Sequence, residues 1–118
     1  MLVAPAGELA DTATDAAGVQ TVTVTTEGAA DDARALAVAV RDRLPGSLPG
    51  AVAVGTATGL VIALNPAARQ VGLNASALVK QLLGGRGGGS GELAQGGGLA
   101  ADAITGALAS LPALIASR

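Results

Sequence analysis

The chain contains no phenylalanine, tyrosine or tryptophan in 118 residues, and this absence constrains its fold more than any other feature. A hydrophobic core must then come from Val, Leu, Ile and Ala, which contribute roughly 25 cal/mol for each Å² of apolar surface buried. The hydrophobic fraction of 50% makes such a core feasible, and the length suits one domain. No apolar run approaches the roughly 20 residues that span a bilayer, so we expect no membrane insertion.

The side chains that carry most enzyme chemistry are also missing. There is no His and no Cys, on which acid–base catalysis near neutral pH and most transition-metal sites depend. We therefore expect a cytoplasmic binding domain with no catalytic residues and no metal site. The net charge of −2 and the lack of aromatic rings argue against bulk attraction to phosphate and against base stacking. Nucleic acid would have to be recognised by shape and by a few local donors.

Hydrophobic periodicity predicts an α/β fold in which helices pack on a single small sheet. The pattern predicts, in order, a strand over 19–26, a helix over 31–44, strands over 51–56 and 60–65, a helix from about 75 to 83, a glycine loop over 84–98, and a final helix. Asn65-Pro66 is expected to end the second strand of the hairpin. Asn74 or Ser76 would cap the second helix and Gly84 would close it.

The two ends of the chain give weaker patterns. The last helix is expected to begin near Leu99 and to be kinked or split at Pro112. Residues 1–17 are predicted to be the end of a preceding linker or helical segment, with a short helix conceivable over 7–13. The globular domain is then expected over 18–118.

Residues 84–98 follow neither the helical nor the strand period, because nine of these fifteen residues are glycine. Ordering glycine costs more backbone entropy than ordering any other residue, so the segment is either a flexible linker or plain turn, or is held because its backbone approaches a ligand. Two glycine blocks bracket Glu92-Leu93-Ala94-Gln95 between two helices of one small domain, which favours a ligand.

The glycine blocks predict an anion-binding surface. Successive glycine N–H groups and the start of the last helix offer unpaired donors, and two nearby basic side chains add positive charge. The Rossmann and P-loop fingerprints do not fit, because the first block follows a helix and no G-K-[ST] is present. The candidate nucleic-acid-binding residues are Lys80, Gly85, Arg86, Gly87, Gly88, Gly89, Ser90, Gln95, Gly96, Gly97 and Gly98.

The same residues resemble a known signature. Gly84 to Gly89 with Arg86 embedded, a polar spacer, and Ala94-Gln95 followed by Gly96 to Gly98 are similar to the DHHA1 domain. More narrowly, they resemble the C-terminal (C-Ala) form found in alanyl-tRNA synthetases, and the similarity extends over about residues 18–118. The family commonly has a basic residue, Pro, Asp and Met where this chain has Ser90 to Leu93, so that basic charge is absent here.

The resemblance implies a tRNA-binding domain that docks on the outer corner of alanine-specific tRNA and supports aminoacylation and editing by upstream synthetase domains. It implies no cofactor for this chain and, for a parent ligase, ATP, Mg and a Zn ion in the editing domain. Three alternatives stay open at this point. They are a structural or homodimer-forming module, the C-terminal domain of a free-standing alanyl-tRNA editing protein, and the accessory domain of a DHH phosphoesterase, which usually carries a His beside the glycines.

Overall fold

A six-stranded sheet with helices on both faces forms the framework of the protein, which confirms the predicted α/β class. The computed structural model describes residues 13–16, 18–26, 30–44, 46–56, 59–85, 87–98 and 100–116. Its elements are β1 (Thr14–Ala16), β2 (Val19–Thr25), α1 (Ala30–Arg43), β3 (Gly50–Gly55), β4 (Leu60–Leu64), α2 (Pro66–Gln70), α3 (Ala75–Leu82), β5 (Gly88–Gly89), β6 (Leu93–Gly96) and α4 (Ala101–Ala116). Residues 1–12 and 17, including most of the conceivable helix over 7–13, lie outside the described residues.

The strand order is β1-β2-β3-β4-β6-β5. Strands β2 and β3 are parallel, with α1 as the crossover between them, and the other neighbouring pairs are antiparallel. The predicted hairpin is confirmed, because β3 and β4 pair with Ala53 opposite Ile62. On its other side β4 pairs with β6, which places Ala94 opposite Ile62.

Alternate residues of the central strands divide the core into two layers. Ile62 and Ala94 pack in the layer that contains α3 and α4, whereas Val61 and Ala63 pack with Ala33 and its helix α1. Helix α1 has Asp31 and Asp32 in its first turn and basic residues in its last, which suits the helix dipole. The two faces of the sheet are therefore covered by different helices.

One short helix, which follows β4, is not predicted by the sequence pattern. Helix α2 begins at Pro66 directly after Asn65, which ends β4 as predicted and caps the helix by accepting from the N–H of Ala68. Five residues are too few to show a helical period, so α2 is visible only after the cap is seen. Asn74 is the cap of α3, and Leu83 followed by Gly84 ends that helix.

The glycine segment corrects one sequence prediction, because it is not a loop throughout. Residues 88–89 and 93–96 form β5 and β6 and extend the sheet by two strands. The alternation that marks a strand is hidden there because glycine has no side chain to alternate. The last helix, predicted to be kinked or split at Pro112, is not split, since Ala101–Ala116 is one helix with Pro112 inside it. None of the helices in the described ranges is both long and apolar enough to cross a membrane.

Candidate nucleic-acid interface

Residues 84–98, called here the glycine hairpin, include the strands β5 and β6 that form one edge of the sheet. Gly88 and Gly89 of β5 pair with Gln95 and Ala94 of β6, and β6 pairs with β4 in the middle of the domain. The hairpin is therefore anchored to the core through β6, while β5 lies at the margin of the sheet. This arrangement favours an ordered surface over the flexible linker that the sequence left open.

The turn of the glycine hairpin is built around Ser90. Its Oγ accepts hydrogen bonds from the backbone N–H groups of Glu92 at 3.2 Å and Leu93 at 3.1 Å. The backbone N–H of Ser90 donates to the carbonyl oxygen of Leu93 at 2.9 Å. Such side-chain-to-backbone bonds fix a turn locally. The hydroxyl of Ser90 is thus engaged in holding the turn.

Three contacts join the tip of the hairpin to the rest of the domain. The carbonyl oxygens of Gly91 and Glu92 accept from the N–H groups of Ala75 and Leu64, each at 2.8 Å. Arg69 donates from Nη1 to the carbonyl oxygen of Leu73 at 2.8 Å, and its guanidinium packs directly against the backbone at Gly91. A positively charged group therefore lies at the tip of the hairpin.

Gly87 is a position in the first glycine block that cannot carry a side chain. Its φ is +85°, a conformation that L side chains rarely adopt, and a Cβ there would lie 2.6 Å from Val79 Cγ1 and 2.8 Å from the carbonyl oxygen of Gln95. The backbone at this point runs between α3 and β6 with no room for a methyl group. Glycine is required here by packing and by backbone geometry together.

A groove lies between the glycine hairpin and α1, on the face of the sheet that α1 covers. Gln95 pairs with Val61 and thus faces the same layer as α1, where its Oε1 accepts from Arg34 Nε at 3.2 Å and from Arg34 Nη2 at 2.6 Å. The groove has a volume of about 220 Å³. Its lining residues are Arg34, Gly88, Gly89, Leu93, Ala94 and Gln95.

Two described arginines, Arg34 and Arg69, contact the glycine hairpin although the chain as a whole is acidic. The sequence has seven Lys and Arg residues against nine Asp and Glu. Arg34 bonds to the hairpin, and Arg69 packs on its tip. Arg86 lies within the hairpin by sequence, and Glu92 is the one acidic residue of the segment. Local positive charge of this kind attracts phosphate where net charge does not.

The structure brings together some of the sequence-predicted site residues and separates others. Gly88, Gly89 and Gln95 line the groove, whereas Gly85 and Gly87 do not. The side chain of Lys80 is exposed on α3, on the opposite face of the sheet from α1. Arg86 lies outside the described residues.

The second glycine block serves mainly to connect β6 with α4. Gly96 is half-buried in β6, and Gly97 and Gly98 follow as exposed residues. Helix α4 begins at Ala101, and Leu99 lies outside the described residues, so the block does not run directly into the helix. Helix α4 packs in the core layer of Ile62, on the face of the sheet opposite α1.

Arg34 is the groove residue that the sequence does not reveal. Its pattern is that of an exposed side chain on the outer flank of α1, next to the buried Ala33. Its proximity to Gln95, 61 residues away, depends on β6 pairing beside β4, and no local period encodes that order. Among the described residues, no group of three or more Asp, Glu, His or Cys could hold a metal ion.

The fold is that of a C-Ala domain. The structure is similar to the crystal structure of the C-Ala domain from Aquifex aeolicus alanyl-tRNA synthetase, with a TM-score of 0.63, 24% identity, and coverage of 83% of this chain and 90% of that chain. It is also similar to a DHH domain from a member of the s1p family of ribosomal proteins, with a TM-score of 0.62, 14% identity, and coverage of 80% and 25%.

Sequence relatives place the chain more narrowly. It is 47% identical over 122 aligned residues to an alanine–tRNA ligase of Salinispora tropica, and the alignment covers 98% of this chain and 14% of the relative. It is 50% identical over 93 aligned residues to the alanine–tRNA ligase of Leifsonia xyli, and that alignment covers 73% of this chain and 10% of the relative. No family model matches. The chain is thus a homologue of one segment of the alanine–tRNA ligases, and the resemblance seen in the sequence is confirmed.

Proposed function

We propose that this chain is a tRNA-binding domain of an alanine–tRNA ligase and that the glycine hairpin is its RNA-contacting surface. The homology to alanine–tRNA ligases over 98% of the chain supports the context. The observation that carries the binding role is the ordered glycine edge with Arg34 and Arg69 against it. Backbone that is free of side chains and flanked by guanidinium groups suits close approach to a ribose–phosphate chain.

The recognition is expected to depend on RNA shape and backbone. No aromatic residue is available for stacking on bases, and the cations near the hairpin are few. The isolated chain should therefore bind tRNA weakly. In a larger protein, tethering to other tRNA-binding parts would raise the effective concentration and compensate for weak intrinsic affinity.

The relatives are the basis for proposing that this domain belongs to a longer protein. The chain spans 14% of the length of the Salinispora ligase, so the ligase reaction is proposed for other parts of a longer protein. Those parts would use ATP and Mg, with Zn in an editing domain, while this domain docks on the outer corner of alanine-specific tRNA without a cofactor of its own. The names of the relatives favour a ligase over a free-standing editing protein. Homodimerisation stays a prediction from the sequence.

Arg86→Ala is expected to weaken tRNA binding by about five- to tenfold, because a guanidinium within the glycine hairpin would lose its phosphate contact. Arg118→Ala is the matched control, since it removes the same charge outside the hairpin. It should change affinity by less than about twofold. A fluorescence-anisotropy titration with labelled tRNA at fixed, moderate salt measures both. If the two variants weakened tRNA binding equally, the glycine hairpin would not be part of the binding surface.

A further inference from the structure

Arg34 and Gln95 form an unusual pair at the floor of the groove. Arg34 directs two N–H groups, from Nε and Nη2, at the single Oε1 of Gln95, at 3.2 Å and 2.6 Å. Arginine uses the same side-on pair of N–H groups to bind carboxylates and phosphates. In this protein the two N–H groups of Arg34 bind a neutral amide oxygen instead. The guanidinium is therefore fixed in position without being neutralised.

Within the described part of the chain, Arg41 forms an ion pair with Asp42 at 3.1 Å, whereas no ion pair is found for Arg34. Arg34 is exposed on α1, and Gln95 is half-buried in β6. A guanidinium that bonds to a neutral amide at the side of an open groove is suited to an anion.

The neighbouring residues leave access to this guanidinium. Gly88 and Gly89 line the groove opposite α1 and have no side chains to fill it. The groove volume of about 220 Å³ is open to solvent along the margin formed by β5. A polyanionic chain that runs along the margin of the sheet can thus bring one phosphate to Arg34.

We propose that Arg34 and Gln95 form a phosphodiester-binding pair in which the amide of Gln95 holds the arginine fork ready until a phosphate oxygen of RNA replaces it. This inference rests on the proposed function and names the phosphate contact within it. A neutral amide suits the role because it orients the fork but is a weaker acceptor than a phosphate oxygen. A carboxylate at the same position would be as strong an acceptor for the Arg34 guanidinium as the phosphate and would compete with it.

Gln95→Glu is accordingly expected to weaken tRNA binding by at least about tenfold, because a carboxylate would occupy the fork as an ion pair. Gln81→Glu is the matched control: it adds the same charge at an exposed position of α3, on the other face of the sheet. It should change affinity by less than about twofold. Thermal unfolding followed by circular dichroism shows that both variants are folded.

Arg34→Lys tests the fork without changing the charge. It should weaken tRNA binding by about fivefold, because an ammonium cannot make two parallel bonds to one phosphate. Arg43→Lys, at the exposed C-terminal end of the same helix, should have no measurable effect. A downfield or upfield displacement of the Arg34 Nε–H resonance on addition of tRNA, and its absence in Gln95→Glu, would support the exchange of acceptors.

The outcomes separate the two proposals. If the unmodified chain does not bind tRNA, the proposed function and this inference both fail. If it binds and Arg86→Ala weakens binding, but Gln95→Glu and Arg34→Lys bind as the unmodified chain does, the phosphodiester-binding pair is overturned while the proposed function stands. If Gln95→Glu and Gln81→Glu weaken binding equally, general charge repulsion explains the effect and the pair is likewise overturned.

Discussion

Replacing Ile62 with alanine is expected to lower the free energy of unfolding by about 3 to 5 kcal/mol, the upper part of the range for buried Ile to Ala. Ile62 lies in the middle of β4, fully buried, with an alanine opposite it on each neighbouring strand, Ala53 and Ala94. Neither alanine is large enough to fill the space left behind. With no aromatic residue in the chain, few large side chains are available to collapse into the cavity.

Urea denaturation followed by far-ultraviolet circular dichroism measures this effect. Ile62→Val is the matched control, because it removes one methyl group and should cost about 0.5 to 1.5 kcal/mol. A domain of this size has a total stability of about 5 to 15 kcal/mol, so the alanine variant should be visibly less stable at ambient temperature. A cost below about 1 kcal/mol for Ile62→Ala would contradict the close packing of β4 between β3 and β6.

Asn65→Ala is expected to cost about 2 to 4 kcal/mol, because it removes a helix cap and leaves buried backbone groups without partners. Asn65 is 4% exposed. Its Oδ1 accepts from the N–H groups of Gly50 at 2.8 Å and Ala68 at 2.9 Å, and its Nδ2 donates to the carbonyl oxygen of Leu48 at 2.8 Å. One side chain thus joins the start of β3, the end of β4 and the start of α2.

Asn74→Ala provides the comparison within the same chain. Asn74 is also an N-cap, of α3, but it is exposed and its Oδ1 accepts one bond, from the N–H of Ala77 at 3.0 Å. Its loss should cost about 1 kcal/mol, as for an ordinary cap. The same denaturation experiment gives both values, and equal costs for the two variants would show that the network around Asn65 contributes nothing beyond its cap.

The helices are predictable from the sequence because their apolar side chains recur with the helical period, and the central hairpin because two apolar runs flank a short turn that contains glycine. Helix α1, the β3–β4 pair and the cap at Asn74 all follow from such local patterns. Strands β5 and β6 are not predictable in the same way, because glycine leaves no pattern of burial to read. Strand β6 is held by long-range hydrogen bonds to β4, and β5 is held by hydrogen bonds to β6.

The candidate site shows the same division. Its glycines and Gln95 are evident in the sequence because nine glycines in fifteen residues need a reason. Arg34 is not evident, because nothing in its own helix indicates that β6 lies within reach. The sequence also offers Ser90 as a ligand-binding hydroxyl, whereas its Oγ holds the hairpin turn together. A side chain's partners in the folded chain decide which of its polar groups are available to a ligand.

The most direct test of the glycine hairpin as an RNA-binding surface is chemical-shift mapping of the ¹⁵N-labelled chain during titration with tRNA. We expect the largest changes at residues 84–98 and at Arg34 on α1, with little change along β1 at the opposite margin of the sheet. Resonances of residues 84–98 that stay in place at saturating tRNA, while others move, would contradict the assignment of this surface.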